Sequence, residues 1–292
     1  MTRSPAKLVS VIVPCRDGGE LLTRQLECLS AQDYAGDWEV VVADNGHTHG
    51  ARAAAMPYAA RLPNLRVVDA SGRAGASAAR NAGAAAAHGD LLAFCDADDE
   101  VDPSWLRHLA KAAVDHDLVG GAVDEAELND PASRATRAPM GARDGLLTLG
   151  GFLPFAIGGN CAIWADVFES IGGWNEGYPR ANDVEFSWRA QVRGYTIGFA
   201  ADALTHYRHR SGRRALLEQF YGWGRADALL YRDFRAFGFR RAPDATLLRT
   251  WWRLFKRVPG LRTRRARSIW MVETARAAGR LAGSIRWRVY FP

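Results

Sequence analysis

The feature that most constrains this chain is a set of four short apolar runs, three of which are followed by a segment with helical character. The runs are Leu8–Val13, Trp38–Ala43, Leu65–Asp69 and Leu91–Cys95. Between them, Gly19–Ala31 places leucines at helical spacing, and Gly75–His88 is rich in alanine. Near-continuous apolar strands that alternate with helices are typical of a mostly parallel sheet covered on both faces. We therefore predict an α/β fold, in which Pro103 opens a further helix and Asp102 caps it.

Polar residues follow three of these predicted strands. Arg16 and Asp17 follow the first strand, Asp44 follows the second, and the acidic cluster Asp96–Asp99 follows the fourth. In open α/β sheets, ligands bind beyond the carboxyl ends of the strands. We therefore expect a binding site at this edge of the sheet.

The sequence Asp96-Ala97-Asp98-Asp99 brings three carboxylates close together. Crowded carboxylates keep their charge most easily around a hard divalent cation, and a bound Mg²⁺ or Mn²⁺ would bridge the phosphates of a ligand. The alternative is a turn that caps the next helix, but Asp102 already supplies a cap. The sequence therefore favours a metal site.

Motifs that bind phosphate through glycine-rich loops are missing from the sequence. Neither GxGxxG nor GxxxxGK[ST] occurs, so dinucleotide-binding and P-loop functions lose support. Arg73 and Arg80 are candidates to hold phosphates instead, because a guanidinium binds two phosphate oxygens at once. No CxxC pair occurs, which argues against zinc and redox centres, and we expect reduced thiols at Cys15, Cys28, Cys95 and Cys161.

Two later segments carry further candidates. Asp183 stands at the start of a predicted helix, so it is either a first-turn acid or a general base that takes a proton from a hydroxyl group. His206 and His209 follow the last predicted strand, Thr196–Ala200. Each is either a metal ligand or a packed or surface residue. The polar segment Glu125–Thr148 is expected to form an irregular loop or an excursion beside the site.

The net charge of +6 over 292 residues hides two regions of opposite sign. Residues 1–202 hold 17 Lys and Arg against 27 Asp and Glu, a net charge of −10. Residues 203–292 hold 21 against 5, a net charge of +16. Such a division predicts two parts with different partners.

The basic part, residues 211–292, is predicted to form helices in which arginines alternate with aromatic residues. These helices are Arg213–Gly238, Asp244–Val258 and Arg262–Arg280. Three interpretations compete: contact with an anionic membrane surface, binding of nucleic acid, and packing on the catalytic domain or on a second subunit of a homodimer. Nothing in the site motifs gives nucleic acid a role, so we expect no nucleic-acid partner.

No apolar run approaches the roughly 18–20 residues needed to span a bilayer. The run Leu8–Val13 is interpreted as a first strand and not as the core of a signal peptide. We expect a cytoplasmic protein, peripheral at the inner face of the cell membrane if the basic helices contact lipid.

Taken in order, seven segments resemble the family two inverting glycosyltransferases over about residues 8–210. They are VSVIVPCRDGGELL, VVVADNGHTHG, GASAARNAGAAAAHGDLLAFCDADD, GGNCAIW, GGWNE, NDVEFSWRAQVRGY and HYRHR. The resemblance implies a GT-A fold, a Rossmann-like mostly parallel sheet flanked by helices. It also implies a nucleoside-diphosphate sugar donor and a divalent cation. Residues 1–210 would form the catalytic domain, with nucleotide-sugar binding in about 8–120 and the acceptor and catalytic part in about 150–210. Residues 211–292 would form a basic helical extension.

The resemblance also implies roles for individual residues. Those expected to contact the nucleotide-sugar are Pro14, Arg16, Asp17, Asp44, Arg80, Asn81, Asp96, Ala97, Gly159 and Asn160. Asp98 matches the metal-binding acid of the family's DxD motif, and His206 matches a late histidine that completes the metal shell. Asp183 matches the catalytic base. Further candidates at the site are Asp99, Trp174 and His209.

The sequence departs from the family pattern at several places. Cys15-Arg16 replaces the usual Tyr-Asn, which leaves the preference for a nucleotide base open. Asn182 stands where the first acid of the catalytic pair is usual, and His47 and His49 replace Ser and Asp. A QxxRW motif is absent, which favours the transfer of single sugars over polymer synthesis.

The mechanism that follows from the resemblance is one displacement with inversion. The metal neutralises the diphosphate leaving group, while Asp183 removes the proton from an acceptor hydroxyl on a glycan, a lipid-linked sugar or a natural product. Two other functions stay open. A nucleotidyltransferase acting on sugar phosphates would release pyrophosphate, and a non-enzymatic peripheral-membrane binding protein would transfer no sugar.

Overall fold

The computed structural model describes residues 2–16, 18–46, 50–135, 139–210, 212–242 and 246–292. The strands in these residues are β1 Val9–Cys15, β2 Trp38–Asp44, β3 Arg66–Asp69, β4 Leu91–Cys95, β5 Glu100–Val101, β6 Leu118–Asp124, β7 Leu147–Thr148, β8 Pro154–Phe155, β9 Asn160–Trp164 and β10 Ile197–His206. The helices are α1 Glu20–Ser30, α2 Gly50–Ala55, α3 Ala76–Ala86, α4 Trp105–Ala113, α5 Pro131–Arg134, α6 Ala165–Ile171, α7 Asn182–Val192, α8 Arg213–Phe234, α9 Leu247–Lys256 and α10 Arg264–Trp287. Short 3₁₀ turns cover Met56–Tyr58, Arg235–Phe237 and Val258–Gly260.

One mixed sheet organises the described residues, with the strand order β3-β2-β1-β4-β9-β6-β10-β5. Strand β1 lies parallel to β2 and β4, and β6 lies parallel to β10. Strand β9 is antiparallel to both of its neighbours, β4 and β6. The predicted α/β fold with a mostly parallel sheet is confirmed, although β6 and β9 were not among the predicted strands.

The core lies on both faces of the central strands. Every residue of β4 and β9 is buried, which matches the near-continuous apolar pattern of a doubly covered sheet. Helix α1 buries Leu22, Leu26 and Leu29 in the core and α4 buries Leu106 and Leu109, and Trp105 of α4 is fully buried. All four cysteines are free thiols, as predicted, and burial raises the pKa of Cys161 to about 12.

Several element boundaries differ from the sequence-based expectation. Strand β1 continues through Pro14 to Cys15, beyond the point where its pairing with β4 ends at Ile12. Helix α4 begins at Trp105 and not at Pro103, because the Asp102 carboxylate accepts hydrogen bonds from the N–H and hydroxyl groups of Ser104 and so forms a turn first. Strand β10 runs past a register shift to His206.

The C-terminal helices pack on the part of the chain that contains the sheet through an aromatic cluster. Trp188 of α7 packs edge-to-face against Phe152, Phe234 and Phe239. Tyr178 lies in the same cluster and donates a hydrogen bond to Asp233 at 2.5 Å. Helix α8 is therefore anchored to the sheet-containing part of the chain by burial of aromatic surface.

Helices α8 and α10 pack closely along each other. A Cβ atom at Gly279 would overlap the carbonyl oxygen of Tyr221, and one at Gly224 would overlap that of Arg276. Asp227 is buried between them and forms hydrogen-bonded ion pairs with Arg276 and Arg280 at 2.9 and 2.8 Å. Burial would raise the pKa of Asp227, but the two guanidinium groups outweigh it and lower the pKa.

Helix α9 differs from its neighbours because most of its surface faces solvent. Leu254 is its one buried residue. Leu248, Trp252 and Phe255 are 81%, 54% and 65% exposed, at positions that share one face of a helix. Among the described residues, no helix has both the length and the apolar character that crossing a membrane requires.

Candidate active site

The carboxyl ends of β1, β2 and β3 meet in register, so that Asp44 lies opposite Cys15 on one side and Asp69 on the other. Asp44 is 6% exposed, and its carboxylate accepts the N–H of Gly46 at 3.1 Å. A Cβ atom at Gly46 would overlap the carbonyl oxygen of Arg16, so glycine allows the two loops to cross closely. Strand β2, the second of the strands predicted to end at the binding site, therefore ends in a tightly packed floor of that site.

Asn45 was not predicted as a site residue, yet it holds the third loop in place. Its amide donates to the carbonyl oxygens of Ala70 and Arg73, and its oxygen accepts the N–H of Gly75 at 2.8 Å. The signal in the sequence was the Asp-Asn-Gly turn, which explains a turn but does not reveal its contacts across the chain.

The acidic cluster after β4 is formed as predicted. Oxygen atoms of Asp96, Asp98 and Asp99 lie within 4.8 Å of one another. Asp99 is buried, and it accepts the backbone N–H of Arg208 at 2.8 Å. Burial and the neighbouring charges of Asp96 and Asp98 raise the pKa of Asp99 well above its usual range. Desolvation, and secondly the negative charge of Asp96, also raise the pKa of Asp98. Asp98 is nevertheless exposed when its whole surface is considered.

Arg80 lies at the centre of the site. It is 4% exposed, and its guanidinium donates to Asp96 at 2.6 Å. It also lies 4.7 Å from the ring centroid of Trp174, which is stacked on Phe186. Asn81 holds the backbone of Trp174 from both sides, accepting its N–H and donating to its carbonyl oxygen. In the described part of the chain, Arg80 Nε and Trp174 Nε1 are buried without a hydrogen-bond partner.

Asp183 is the second carboxylate that interacts with the charge of Arg80. Its carboxylate accepts the N–H of Val184 at 2.9 Å and the N–H of Gly158. Burial raises the pKa of Asp183, although these hydrogen bonds and the charge of Arg80 oppose the shift. Residues 158–160 form a short segment that we call the strap. Within it, Gly159 lies against Asp96, because a Cβ atom at Gly159 would be 2.7 Å from Asp96 Oδ2. Gly158 and Gly159 thus contact the two carboxylates that interact with Arg80.

The side chain of Asn160 does not lie in this group. It is fully buried, and its oxygen accepts the indole N–H of Trp105 at 2.8 Å. Its amide donates to the carbonyl oxygens of Ala122 and Ala203 at 2.8 and 3.0 Å. The side-chain oxygen and amide group of Asn160 form all these hydrogen bonds inside the sheet. The side chain therefore joins β9 to β6 and β10 and does not extend toward a nucleotide-sugar donor.

The two late histidines contact the segment after β6. His206 lies 3.5 Å from Asp124 and 3.2 Å from Glu127, and these three residues form a second group of possible ligand atoms. The sequence had paired His206 with Asp98, and the structure groups it elsewhere. His209 is buried, with its Nε2 3.0 Å from Glu125. The segment predicted as an irregular loop therefore fixes both histidines.

Three arginines, Arg208 and Arg210 of the HYRHR segment and Arg180, were not among the site residues predicted from the sequence. Arg208 donates to the carbonyl oxygen of Asp98 at 3.0 Å and to Glu100 at 2.7 Å. Burial and then the charge of Arg210 lower the pKa of Arg180. The positive charge of Arg210 also opposes the rise in the pKa of Asp98. The basic letters of HYRHR and Arg180 before Asn182 were visible in the sequence, but the contacts of Arg208 with the acidic cluster and the interaction of Arg180 with Arg210 depend on the tertiary fold.

The remaining predicted residues occupy the rim. Pro14 and Ala97 are half-buried, and Arg16 is exposed. Asp17, His47 and His49 lie outside the described residues.

Comparisons with known proteins were made on the sequence and on the fold. The signature described as "Glycosyl transferase family 2" matches residues 10–172. Glycosyltransferase AglE from Haloferax volcanii is 28% identical over 229 residues, which cover 74% of this chain and 72% of that protein.

Solved structures share the fold at low sequence identity. Mannosyltransferase PcManGT from Pyrobaculum calidifontis, in complex with GDP-Man and Mn²⁺, has a TM-score of 0.66 and 19% identity, over 97% of this chain and 89% of its own. S. aureus TarS 1-349 in complex with UDP-GlcNAc has a TM-score of 0.59 and 18% identity, over 97% and 93%. The GT-A fold expected from the sequence is thus confirmed. Because the family signature covers more than half of the chain, this chain belongs to glycosyl transferase family 2 and is a glycosyltransferase.

Proposed function

We propose that this chain transfers a single sugar from a nucleoside diphosphate to an acceptor hydroxyl, with inversion and with a divalent cation. The observation that carries the proposal is the arrangement around Arg80. Asp96 accepts a hydrogen bond from this buried guanidinium, Asp183 interacts with its charge, and the Gly158-Gly159 strap contacts both carboxylates. Arg80 and Asp96, which are proposed to bind the donor, therefore share one site with Asp183, which is proposed as the base for the acceptor.

The acidic cluster suits a divalent cation. Its three carboxylates offer hard oxygen ligands within 4.8 Å of one another. Burial, and secondly the neighbouring carboxylates, raise the pKa values of Asp98 and Asp99, and a bound cation would favour their ionised forms. Asp98, with Asp96 or Asp99, would hold Mg²⁺ or Mn²⁺. When bound, the ion would neutralise charge on the diphosphate leaving group. His206, which lies with Asp124 and Glu127, is not needed for this set.

Asp183 is proposed as the catalytic base. Its burial and its raised pKa suit proton removal near neutral pH, since a base works best when its pKa approaches the working pH. The hydrogen bonds from Val184 and Gly158 fix the carboxylate in place. The acceptor oxygen would attack the anomeric carbon on the face opposite to the leaving diphosphate, so one displacement inverts the configuration.

The donor class is supported by the similar structures, which contain GDP-Man and UDP-GlcNAc. Arginines supply the positive charge that such a donor needs. Arg80 lies beside Asp96, while Arg180 and Arg210 lie close enough to act on each other. Guanidinium groups bind diphosphate oxygens in pairs.

The test is calorimetric titration of UDP, GDP and dTDP into the protein with and without Mn²⁺. We expect one nucleotide to bind at least tenfold more tightly with Mn²⁺, and Asp98→Asn to abolish this gain. Asp102→Asn, three residues beyond the cluster, is the control that should retain it. A product assay then separates the chemistries. Release of nucleoside diphosphate and an inverted anomer supports the proposal, while release of pyrophosphate would indicate a nucleotidyltransferase.

We also propose that α9 attaches the protein to an anionic membrane surface. Leu248, Trp252 and Phe255 expose one apolar face, and 247–257 carries Arg249, Arg253, Lys256 and Arg257 without an acidic residue. Exposed aromatic residues beside cationic residues are the pattern of interfacial helices on anionic lipid. This proposal places the protein at the inner face of the cell membrane.

A further inference from the structure

A cavity of about 860 Å³ lies between the start of α8, the N-terminal half of α10 and the segment around α5. It is separate from the contacts that form the catalytic group, and Arg210 is the one described residue of its lining that is also proposed to act on the donor. Its volume lies in the range of pockets that hold small organic ligands.

One wall of the cavity is strongly basic. Arg210, Arg213, Arg264 and Arg267 line it, against the single acid Asp130. The Asp130 carboxylate already accepts the N–H of Ser133 at 2.8 Å. Among the described residues, neither Arg264 nor Arg267 forms an ion pair with an acid.

Two long helices also begin at this cavity. Gly212 precedes the first turn of α8 and offers no side-chain cap, and Thr263 caps α10 just before Arg264. The positive ends of both helix dipoles therefore add to the charge of the arginines. Together they define a binding place for an anion of more than one charge.

An apolar wall lies beside the arginines, mostly on the same helices α8 and α10. Leu216 and Val272 are buried, and Leu261, Trp270 and Met271 complete the wall. The indole N–H of Trp270 donates to the carbonyl oxygen of Leu254 at 2.9 Å, which joins this wall to the base of α9. A simple phosphate-binding pocket would gain nothing from such a lining, whereas an anion that carries a hydrocarbon chain would bury it here.

The cavity also adjoins the catalytic site. Arg210 lines it, and Arg208, two residues earlier in the chain, donates its backbone N–H to the Asp99 carboxylate at 2.8 Å and its guanidinium to the carbonyl oxygen of Asp98 at 3.0 Å. A molecule bound in the cavity would thus lie next to the acidic cluster.

We propose that this cavity binds the acceptor, and that the acceptor is an amphiphile in which a phosphate group is attached to an apolar chain. The phosphate lies among Arg213, Arg264 and Arg267, and the chain lies along Leu216, Leu261 and Met271. This inference rests on the proposed glycosyl transfer for the word acceptor, but the binding site itself does not depend on it.

The test is titration of dodecyl phosphate, below its micelle-forming concentration and without vesicles, into the full-length protein. Inorganic phosphate presents the headgroup alone, and dodecyltrimethylammonium presents the same chain with the opposite charge. We expect dodecyl phosphate to bind at least tenfold more tightly than either. The double variant Arg264→Gln/Arg267→Gln should lose at least tenfold in affinity.

The matched control is Arg262→Gln/Arg265→Gln, which removes two exposed arginines from the same helical segment but none that lines the cavity. It should bind dodecyl phosphate within twofold of the unmodified protein. Equal binding of inorganic phosphate would reduce the cavity to an anion site, and equal binding by the Arg264→Gln/Arg267→Gln variant would place the amphiphile elsewhere. Either result overturns the inference.

Nucleotide binding with Mn²⁺ is measured on the same samples. If nucleotide binds and dodecyl phosphate does not, the inference fails while the proposed function stands. If dodecyl phosphate binds in an arginine-dependent way and no nucleotide binds, the cavity is supported as an amphiphile site and the proposed function fails.

Discussion

At the scale of single residues, neighbouring positions in the chain have different tasks. In the strap after β8, Gly158 donates to Asp183, Gly159 packs on Asp96, and Asn160 turns inward to join three strands. The resemblance had assigned Gly159 and Asn160 the same task. The difference follows from the backbone, because Gly158 and Gly159 lie in a turn closed by the hydrogen bond from the Asn160 N–H to the Ile157 carbonyl oxygen, whereas Asn160 is the first residue of β9.

Replacing Asp183 by Asn should leave metal-dependent nucleotide binding unchanged and lower kcat by roughly 10²–10⁴-fold, which is typical for loss of a general base. The pH profile gives a second readout. A base acts in its ionised form, and burial raises the pKa of Asp183. The acid limb of kcat for the unmodified enzyme should therefore lie above pH about 4, the usual range for an aspartate. Full turnover by the variant would remove Asp183 from the mechanism.

Replacing Asn160 by Leu should destabilise the protein and not selectively weaken the donor site. The change leaves the Trp105 indole and two carbonyl oxygens buried without partners, and each such group costs about 1–3 kcal/mol. We expect the free energy of unfolding in urea to fall by about 3 kcal/mol or more. Asn175→Ala, in a half-buried loop, is the control and should cost about 1 kcal/mol. A stable Asn160→Leu variant with lost nucleotide binding would restore the donor-contact role.

At the scale of elements, the first strands and the helices between them follow from the sequence, because their apolar periodicity is strong. Strands β6 and β9 do not. The sequence of β6 contains Gly120 and Gly121, which strands disfavour, yet Gly121 is required where Asn160 passes. Strand β9 is antiparallel within a sheet whose pattern predicts parallel neighbours, and only tertiary pairing reveals this.

The α8–α10 pair supplies a prediction at this scale. Gly279→Ala would place a methyl group on the carbonyl oxygen of Tyr221, a backbone atom that cannot rotate away. The gain in helix propensity, at most about 1 kcal/mol, is smaller than the overpacking cost of about 1–3 kcal/mol or more. We expect a lower melting temperature. Gly260→Ala, with no atom within 4 Å of its Cβ position, should melt within about a degree or two of the unmodified protein. Equal melting temperatures for the two variants would contradict the close packing of the helices.

At the scale of the whole molecule, the two regions of opposite charge are in contact. Part of the positive charge of the C-terminal region is used internally, since Arg276 and Arg280 neutralise Asp227. Other cationic residues of this region line the large cavity or flank the exposed face of α9. The sequence left packing on the catalytic domain and membrane contact as competing interpretations. The structure shows the packing for α8, and α9 leaves the membrane contact to be tested.

Membrane attachment predicts sedimentation of the protein with vesicles that contain phosphatidylglycerol, and weaker sedimentation as salt is raised, because salt screens the arginines. The double variant Trp252→Glu/Phe255→Glu should reduce binding at least tenfold. Leu21→Glu, at an exposed position of α1, controls for the added charge and should bind as the unmodified protein does. Equal binding to vesicles of phosphatidylcholine alone, or undiminished binding by the double variant, would contradict the proposal.

The strap, residues 158–160, couples the stability of the sheet to the chemistry of the site. Opening the centre of the sheet would release Asn160 and, with its two neighbours, the contacts to Asp96 and Asp183. Loss of turnover and loss of hydrogen-exchange protection in β9 should therefore coincide along a denaturant series. The residues that line the cavity beside α10 are not part of this strap, so acceptor preference can diversify there under selection without endangering the catalytic carboxylates.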